Sequence, residues 1–129
     1  MSDGAGAVLL ASEQAIKDYG LTPLARFVSF SVAGVRPEVM GIGPIAAIPK
    51  ALKQAGLSKD QLDWIELNEA FAAQVLCTLR AWESEDYCRN RLGLDAPLGK
   101  IDPAKMNPNG SSLATGHPFA ATGARIVAT

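Results

Sequence analysis

The chain has 129 residues, 48% of them hydrophobic and 19% charged, with a formal net charge of −1. That is enough apolar material for the core of one globular unit, whole or part of a larger one. The near-neutral balance, with no long basic block, excludes the electrostatic footprint of a nucleic-acid binder, and no apolar run approaches the roughly 20 residues needed to cross a bilayer.

The opening, MSDGAGAVLLASEQ, lacks the positive start and long apolar stretch of a secretory signal. Within it, AGAVLLAS (5–12) reads as a short strand, and EQAIKDYG (13–20) as a helix closed by Gly20. ARFVSFSVAGV (25–35), rich in Val and Phe and bounded by Pro23 and Pro37, reads as a buried strand. MGIGP (40–44) turns the chain. Pro44 then opens a helix in which Ile45, Ile48 and Leu52 recur at helical spacing up to Gly56, with Pro49 as its weak spot.

Ser58 is placed to cap the next turn, Trp64–Leu67 reads as a short strand, and a helix is predicted to start at Asn68. The polar stretch 83–105 looks like a surface excursion whose first half continues that helix. MNPNGSSLATG (106–116) is turn-rich, and PFAATGARIVAT (118–129) reads as a helix with Pro118 near its first position. Alternating strand and helix imply an α/β fold. Ending on a helix with no return strand is the pattern expected of a fragment.

His117 is the only histidine. Gly116 allows close backbone approach to it, and Pro118 pushes it toward an extended conformation just ahead of a helix. The positive end of a helix dipole favours neutral imidazole, the form able to serve as a base beside a thiol or hydroxyl. A loop histidine that merely caps the helix would fit the same residues. In NEAFAAQ (68–74), Asn68 could hydrogen-bond a reactant or water at the carboxyl end of a strand, or could simply be an N-cap with Glu69 complementing the dipole.

Cys77, in an apolar helical stretch, and Cys88, among charges, lack the electropositive surroundings of an activated thiolate, and their spacing suits neither a disulfide framework nor a zinc site. A reducing compartment is the default. MGIGP lacks the Lys-Ser/Thr and glycine spacing of a phosphate loop, and no other metal or nucleophile motif is present.

Four blocks in order, SDGAGAVLLASE (2–13), MGIGPIAAIPKAL (40–52), NEAFAAQ (68–74) and NPNGSSLATGHPFAATGAR (107–125), resemble the carboxyl-terminal part of thiolases. The related ketoacyl synthases also carry a Gly-His motif, but the GHP block together with NEAFAAQ favours thiolase. The resemblance implies the thiolase-like fold, two halves stacked as αβαβα layers. Residues 1–24 would be the end of the amino-terminal half, and 25–129 the carboxyl-terminal domain short of its last two strands. The apolar strand at 25–35 would then present an unpaired edge that invites aggregation or pairing with another chain.

The implied reaction is CoA-dependent thiolytic cleavage of a 3-ketoacyl-CoA to acetyl-CoA and a shortened acyl-CoA, or the reverse Claisen condensation. CoA is a substrate; no metal or prosthetic group is implied. His117 matches the GHP histidine, the base that activates the nucleophilic cysteine and lines an oxyanion hole, and Asn68 matches the asparagine that holds a water there. Gly116, Pro118 and Phe71 fall beside these two as substrate-binding positions. The family's nucleophilic cysteine and the Cys-Gly-rich segment near its end match nothing in this chain; Cys77 and Cys88 correspond to neither.

Ser111 and Ser112 stand where Gly-Gly or Gly-Ser pairs are common, and Ala120 replaces a frequent glycine. The 119–122 pattern and the 83–105 segment look most like the thiolase subunits of fatty-acid oxidation complexes. Expected partners are acyl-CoA and CoA, a homo-oligomeric copy or a complementing thiolase segment, and a β-oxidation complex, in the cytoplasm, mitochondrion or peroxisome. The alternative is a non-catalytic thiolase-fold module acting in dimerisation or partner binding.

Overall fold

The computed structural model describes residues 2–129. The chain forms two compact units, Met1–Val28 with Pro118–Thr129, and Ser29–His117.

The larger unit is organised by helices α2 (Gly43–Ala55), α3 (Ala72–Glu83) and α4 (Glu85–Asn90), with a single helical turn, α5 (Ser112–Thr115), near its end. Short 3-10 segments lie at Pro37–Ile42, Lys59–Gln61 and Pro103–Lys105. α2 forms as the spacing predicts: Pro44 sits in its first turn, Ile45, Pro49 and Leu52 are buried, and Gly56 ends it at φ 67°. Ser58 does cap the following turn, its N–H and hydroxyl both donating to Oε1 of Gln61 at 2.8 and 3.2 Å.

The core of this unit gathers around Ile45, Trp82 and Ile101, with Ile48, Ile65, Leu79, Tyr87, Leu92 and Leu98 packed against them. The Trp82 indole is almost wholly buried and donates to the Ile45 carbonyl at 3.1 Å, so its one polar atom is satisfied while its ring fills the centre.

The stretch 83–105 is therefore not the surface excursion its polarity predicts. Ser84, at φ −81° and ψ 116°, stops α3 and its hydroxyl accepts from the Tyr87 N–H, starting α4. Tyr87, Leu92, Leu98 and Ile101 then return to the Trp82 cluster. Cys88 is fully buried, its thiol within 3.4 Å of the Ala81 and Trp82 carbonyls, whereas Cys77 is exposed on α3.

The three strands expected at 5–12, 25–35 and 64–67 do not appear as strands. A strand is defined by its neighbour, and among the described residues the only pairing is one parallel bridge between Ile65 and Met106. Residues 25–35 find no ladder partner among the described residues, and Phe27, Phe30 and Val32 are 74%, 69% and 69% exposed. In the larger unit this segment is tied to α2 by the Ser29 hydroxyl, which donates to the Ala51 carbonyl at 2.9 Å, and by Lys50, which reaches the Val32 carbonyl at 3.5 Å.

The smaller unit contains α1 (Glu13–Tyr19) and α6 (Phe119–Ala128). α1 is specified by its ends: the Ser12 hydroxyl accepts from the Ala15 N–H at 3.1 Å, and Gly20 terminates it at φ 61°. α6 has Pro118 as its N-cap, one position earlier than predicted, and buries Ala121 and Thr122. Gly4 and Gly6 lie directly against this helix. A Cβ on Gly6 would stand 2.9 Å from the Ala124 Cβ and 3.2 Å from the Ala121 carbonyl oxygen.

Because that obstacle includes backbone, Gly6→Ala is expected to destabilise the smaller unit by roughly 1–3 kcal/mol in denaturant unfolding. Gly123→Ala, in α6 with open space around the added methyl, is expected to stabilise it by about 0.5–1 kcal/mol. Equal effects from the two would contradict the packing described.

Candidate functional site

The site begins at the Ile65–Met106 bridge. The Ile65 N–H donates to the Lys105 carbonyl and the Asn107 N–H to the Ile65 carbonyl, both at 2.8 Å. The chain then turns at Asn107, which takes φ 47°, a conformation tolerated best by Asn and Gly. This turn sends its side chain back along the partner segment. Asn107 Oδ1 accepts from the Leu67 N–H at 2.8 Å, and Nδ2 donates to the Leu67 carbonyl at 2.9 Å and to Glu69 Oε1 at 3.1 Å.

A second tie comes from the next turn. Ser111 Oγ donates to the Leu67 carbonyl at 3.3 Å, and Glu69 Oε2 accepts from the Leu113 N–H at 3.4 Å. Asn107, Ser111 and Ser112 are buried, so these bonds are shielded from competing water.

Asn68 is held between these ties. Its Oδ1 accepts from Ser112 Oγ at 2.5 Å, and its Nδ2 lies 3.4 Å from His117 Nε2. Asn68 and His117, 49 positions apart in sequence, are thus brought together, both half-buried and reachable from solvent. The carboxamide nitrogen can only donate, so in the tautomer that carries its proton on Nδ1 the ring can accept from it at Nε2.

Asn68 is not a helix N-cap. α3 starts four residues later, at Ala72, with Phe71 in the capping position and no side-chain cap. The carboxamide and carboxylate that could have capped the helix are engaged by Ser112, Asn107 and Leu113. Gly116 has φ 89° and ψ 171°, a region open essentially to glycine alone, and its N–H donates to the Ser112 carbonyl at 2.9 Å. Phe71 is 68% exposed and contributes no hydrogen-bonding side chain to the network. Pro118 caps α6 in the smaller unit. Among the described residues no group of three or more His, Cys, Asp or Glu is placed to hold a metal ion.

Asn107, Ser111 and Ser112 were not singled out as site residues by their sequence pattern. The signal was the Asn-Pro-Asn-Gly turn, which reads as surface turn chemistry until burial shows its first asparagine turned inward.

Comparison with known proteins decides the family: residues 21–129 match the thiolase C-terminal domain. The chain belongs to the thiolase family. It is 48% identical to a 3-ketoacyl-CoA thiolase of Pectobacterium atrosepticum, over 98% of this chain and 29% of that protein. It is 50% identical to the peroxisomal 3-ketoacyl-CoA thiolase 2 of Arabidopsis thaliana, over 100% of this chain and 24% of that protein.

The crystal structure of human mitochondrial 3-ketoacyl-CoA thiolase superposes with a TM-score of 0.73 at 45% identity, covering 92% of this chain and 26% of that one. That enzyme has also been solved in complex with CoA. The thiolase fold is therefore the fold of this segment, and the chain spans about a quarter of the length of the relatives it matches. Among the described residues no helix is long and apolar enough to cross a membrane.

Removing the inward-turned amide tests the scaffold. Asn107→Ala strands the buried Leu67 N–H, and is expected to cost roughly 1–3 kcal/mol in denaturant unfolding. A change within about 0.5 kcal/mol, the usual range of a neutral surface substitution, would contradict the role assigned to this side chain.

Proposed function

We propose that this chain supplies the histidine base and oxyanion-hole asparagine of a thiolase. The reaction is CoA-dependent cleavage of a 3-ketoacyl-CoA to acetyl-CoA and a shortened acyl-CoA, or the reverse condensation. The observation that carries the reading is the Asn68 Nδ2 to His117 Nε2 approach of 3.4 Å. In this reading residues 1–24 belong to the end of the amino-terminal half and 25–129 to the carboxyl-terminal half, with the family match starting at residue 21 in support.

The chemistry assigns each side chain a task. His117 Nε2 takes the proton from a cysteine thiol, so that the thiolate can attack the ketone carbon of the bound 3-ketoacyl-CoA. The tetrahedral oxyanion is stabilised by N–H donors in a partly desolvated site, and Asn68 Nδ2 is placed to contribute directly or through a water. Carbon–carbon cleavage leaves the shortened acyl group on sulfur and releases acetyl-CoA as its enolate, which takes up a proton; free CoA then gives its thiol proton to a base, its thiolate takes the acyl group, and the cysteine sulfur is released. Gly116, Pro118 and Phe71 are the substrate-binding positions of this reading. CoA enters as a substrate, and no metal or prosthetic group takes part.

Neither Cys77 nor Cys88 is placed as the nucleophile: Cys88 is sealed behind the Ala81 and Trp82 carbonyls and Cys77 lies on the outer face of α3. The 129-residue chain by itself is therefore expected to show no CoA-dependent loss of acetoacetyl-CoA.

The test is a chimera in which this chain replaces the matching segment of the human mitochondrial 3-ketoacyl-CoA thiolase. The chimera is expected to retain thiolysis. His117→Ala in it should lower kcat by about 10²–10⁴, as loss of a general base does, and Asn68→Ala by about 10²–10³, as loss of an oxyanion-hole donor does. A folded, active chimera indifferent to His117→Ala would overturn the reading.

A further inference from the structure

Of the asparagines in the chain, only Asn109 is followed by glycine. An asparagine carboxamide carbon is open to attack by the backbone nitrogen of the next residue, and glycine offers that nitrogen with no side chain to crowd it. The other asparagines are poorer sites for this chemistry. Asn107 precedes Pro108, which has no N–H to attack with, and Asn68 and Asn90 precede Glu69 and Arg91, whose side chains hinder the approach.

The structure holds the reactive pair in a closed turn. Asn109 is exposed and Gly110 half-buried, and the Gly110 N–H donates to the Asn107 carbonyl at 2.8 Å. Attack requires that N–H to lose its proton, and a hydrogen-bonded N–H in a closed turn gives it up only when the turn opens. Two ties to Leu67 keep it shut. One is the inward-turned Asn107 carboxamide, which also reaches Glu69; the other is the buried Ser111 hydroxyl on the Leu67 carbonyl.

We propose that Asn109 is a site of spontaneous covalent modification, converted to aspartate and isoaspartate when the turn that carries Asn107 opens. In the open turn the Gly110 nitrogen gives its proton to water or hydroxide and bonds to the Asn109 Cγ. The carboxamide C–N bond breaks, and its nitrogen leaves as ammonia with a proton returned from solvent, so that a five-membered succinimide remains. Water then adds to one of the two ring carbonyls and the ring C–N bond on that side opens. Opening at Cγ gives aspartate; opening at the main-chain carbonyl gives isoaspartate, whose backbone runs through the former side chain. Water is the only co-reactant.

The isoaspartate form adds one methylene to the main chain between Asn107 and Ser111, the two residues tied to Leu67. Those ties cannot both keep their present spacing, so conversion loosens the scaffold beneath Asn68. The inference stands independently of the catalytic reading.

The test incubates the folded chain and the chain in denaturant side by side in ¹⁸O-enriched water at mildly alkaline pH. Digestion follows in ordinary water, so only conversion during the incubation carries the heavy oxygen. Trypsin releases residues 106–125, which hold both Asn107 and Asn109. This peptide is expected to gain about 3 Da, with fragmentation placing the gain at Asn109 and a protein-isoaspartate methyltransferase methylating part of it. The folded chain should convert more slowly than the denatured chain by about fivefold or more, the equilibrium worth of one hydrogen bond. Asn107→Ala, assayed folded, should speed conversion by about five- to hundredfold and leave the rate in denaturant unchanged.

No gain at Asn109 in denaturant overturns the site. Equal rates in the folded and denatured chains, or a folded Asn107→Ala chain that converts no faster, overturns the control by the turn. Should Asn107→Ala fail to fold, Ser111→Ala, which removes only the second tie, takes its place. An acceleration of about two- to fivefold is then expected, and no acceleration overturns the proposal equally.

Discussion

The amide of Asn107 does for Leu67 what the peptide group of an adjacent strand would do. It accepts from the Leu67 N–H and donates to the Leu67 carbonyl, extending a two-bond parallel pairing at Ile65 by one further step without any further strand. Its second amide proton goes to Glu69, so both hydrogens of the group are used. Asn68 lies between the two residues that Asn107 holds, and its own side chain is what reaches Ser112 and His117. The bonds from Ser111 to the Leu67 carbonyl and from the Leu113 N–H to the Glu69 carboxylate reinforce the clamp on the same two residues. A left-handed turn at one residue thus sets the place of an amide donor next to an imidazole nitrogen.

That arrangement draws on three stretches of sequence that share no local pattern: 64–69, 105–107 and 111–117. The Trp82 core supports it from beneath, since Ile65 and Met106, the two bridge residues, both pack against that cluster. The buried core and the candidate site meet at the same bridge. The buried position of Ser111 and Ser112 means that the hydroxyls have few alternatives to the bonds they make, and a hydroxyl with few alternatives is a good orienting group.

The legible parts of the fold were those written locally. α1 could be read from Ser12 and Gly20, and α2 from Pro44, the Ile45–Ile48–Leu52 spacing and Gly56, because caps and helical periodicity act within a few residues. Strands could not be confirmed in the same way. The apolar run at 25–35 has the composition of a strand, but a ladder is a relation between two segments, and the described residues offer that run no partner. The stretch 83–105 misled because its charges outnumber the few residues, Tyr87, Leu98 and Ile101, that decide where it packs.

Of the site, His117 and Asn68 were legible through the family blocks that contain them, and their approach in space through nothing in either block alone. Asn68 looked like an N-cap because residue type and position relative to a helix fit one. Its side chain was already committed to Ser112, 44 residues away, and the helix starts later as a result. Asn107 and Ser112 remained hidden because their importance lies in burial and direction, which turn chemistry does not encode. The measurement that bears most directly on the account is the nuclear Overhauser contact between the Asn68 side-chain amide protons and the ring of His117, the chain's only histidine. A cross-peak between them, alongside cross-peaks from the Asn107 amide to Leu67, is the predicted result; Asn107 cross-peaks with none from Asn68 to the ring would show that the clamp forms and does not deliver the amide to the imidazole.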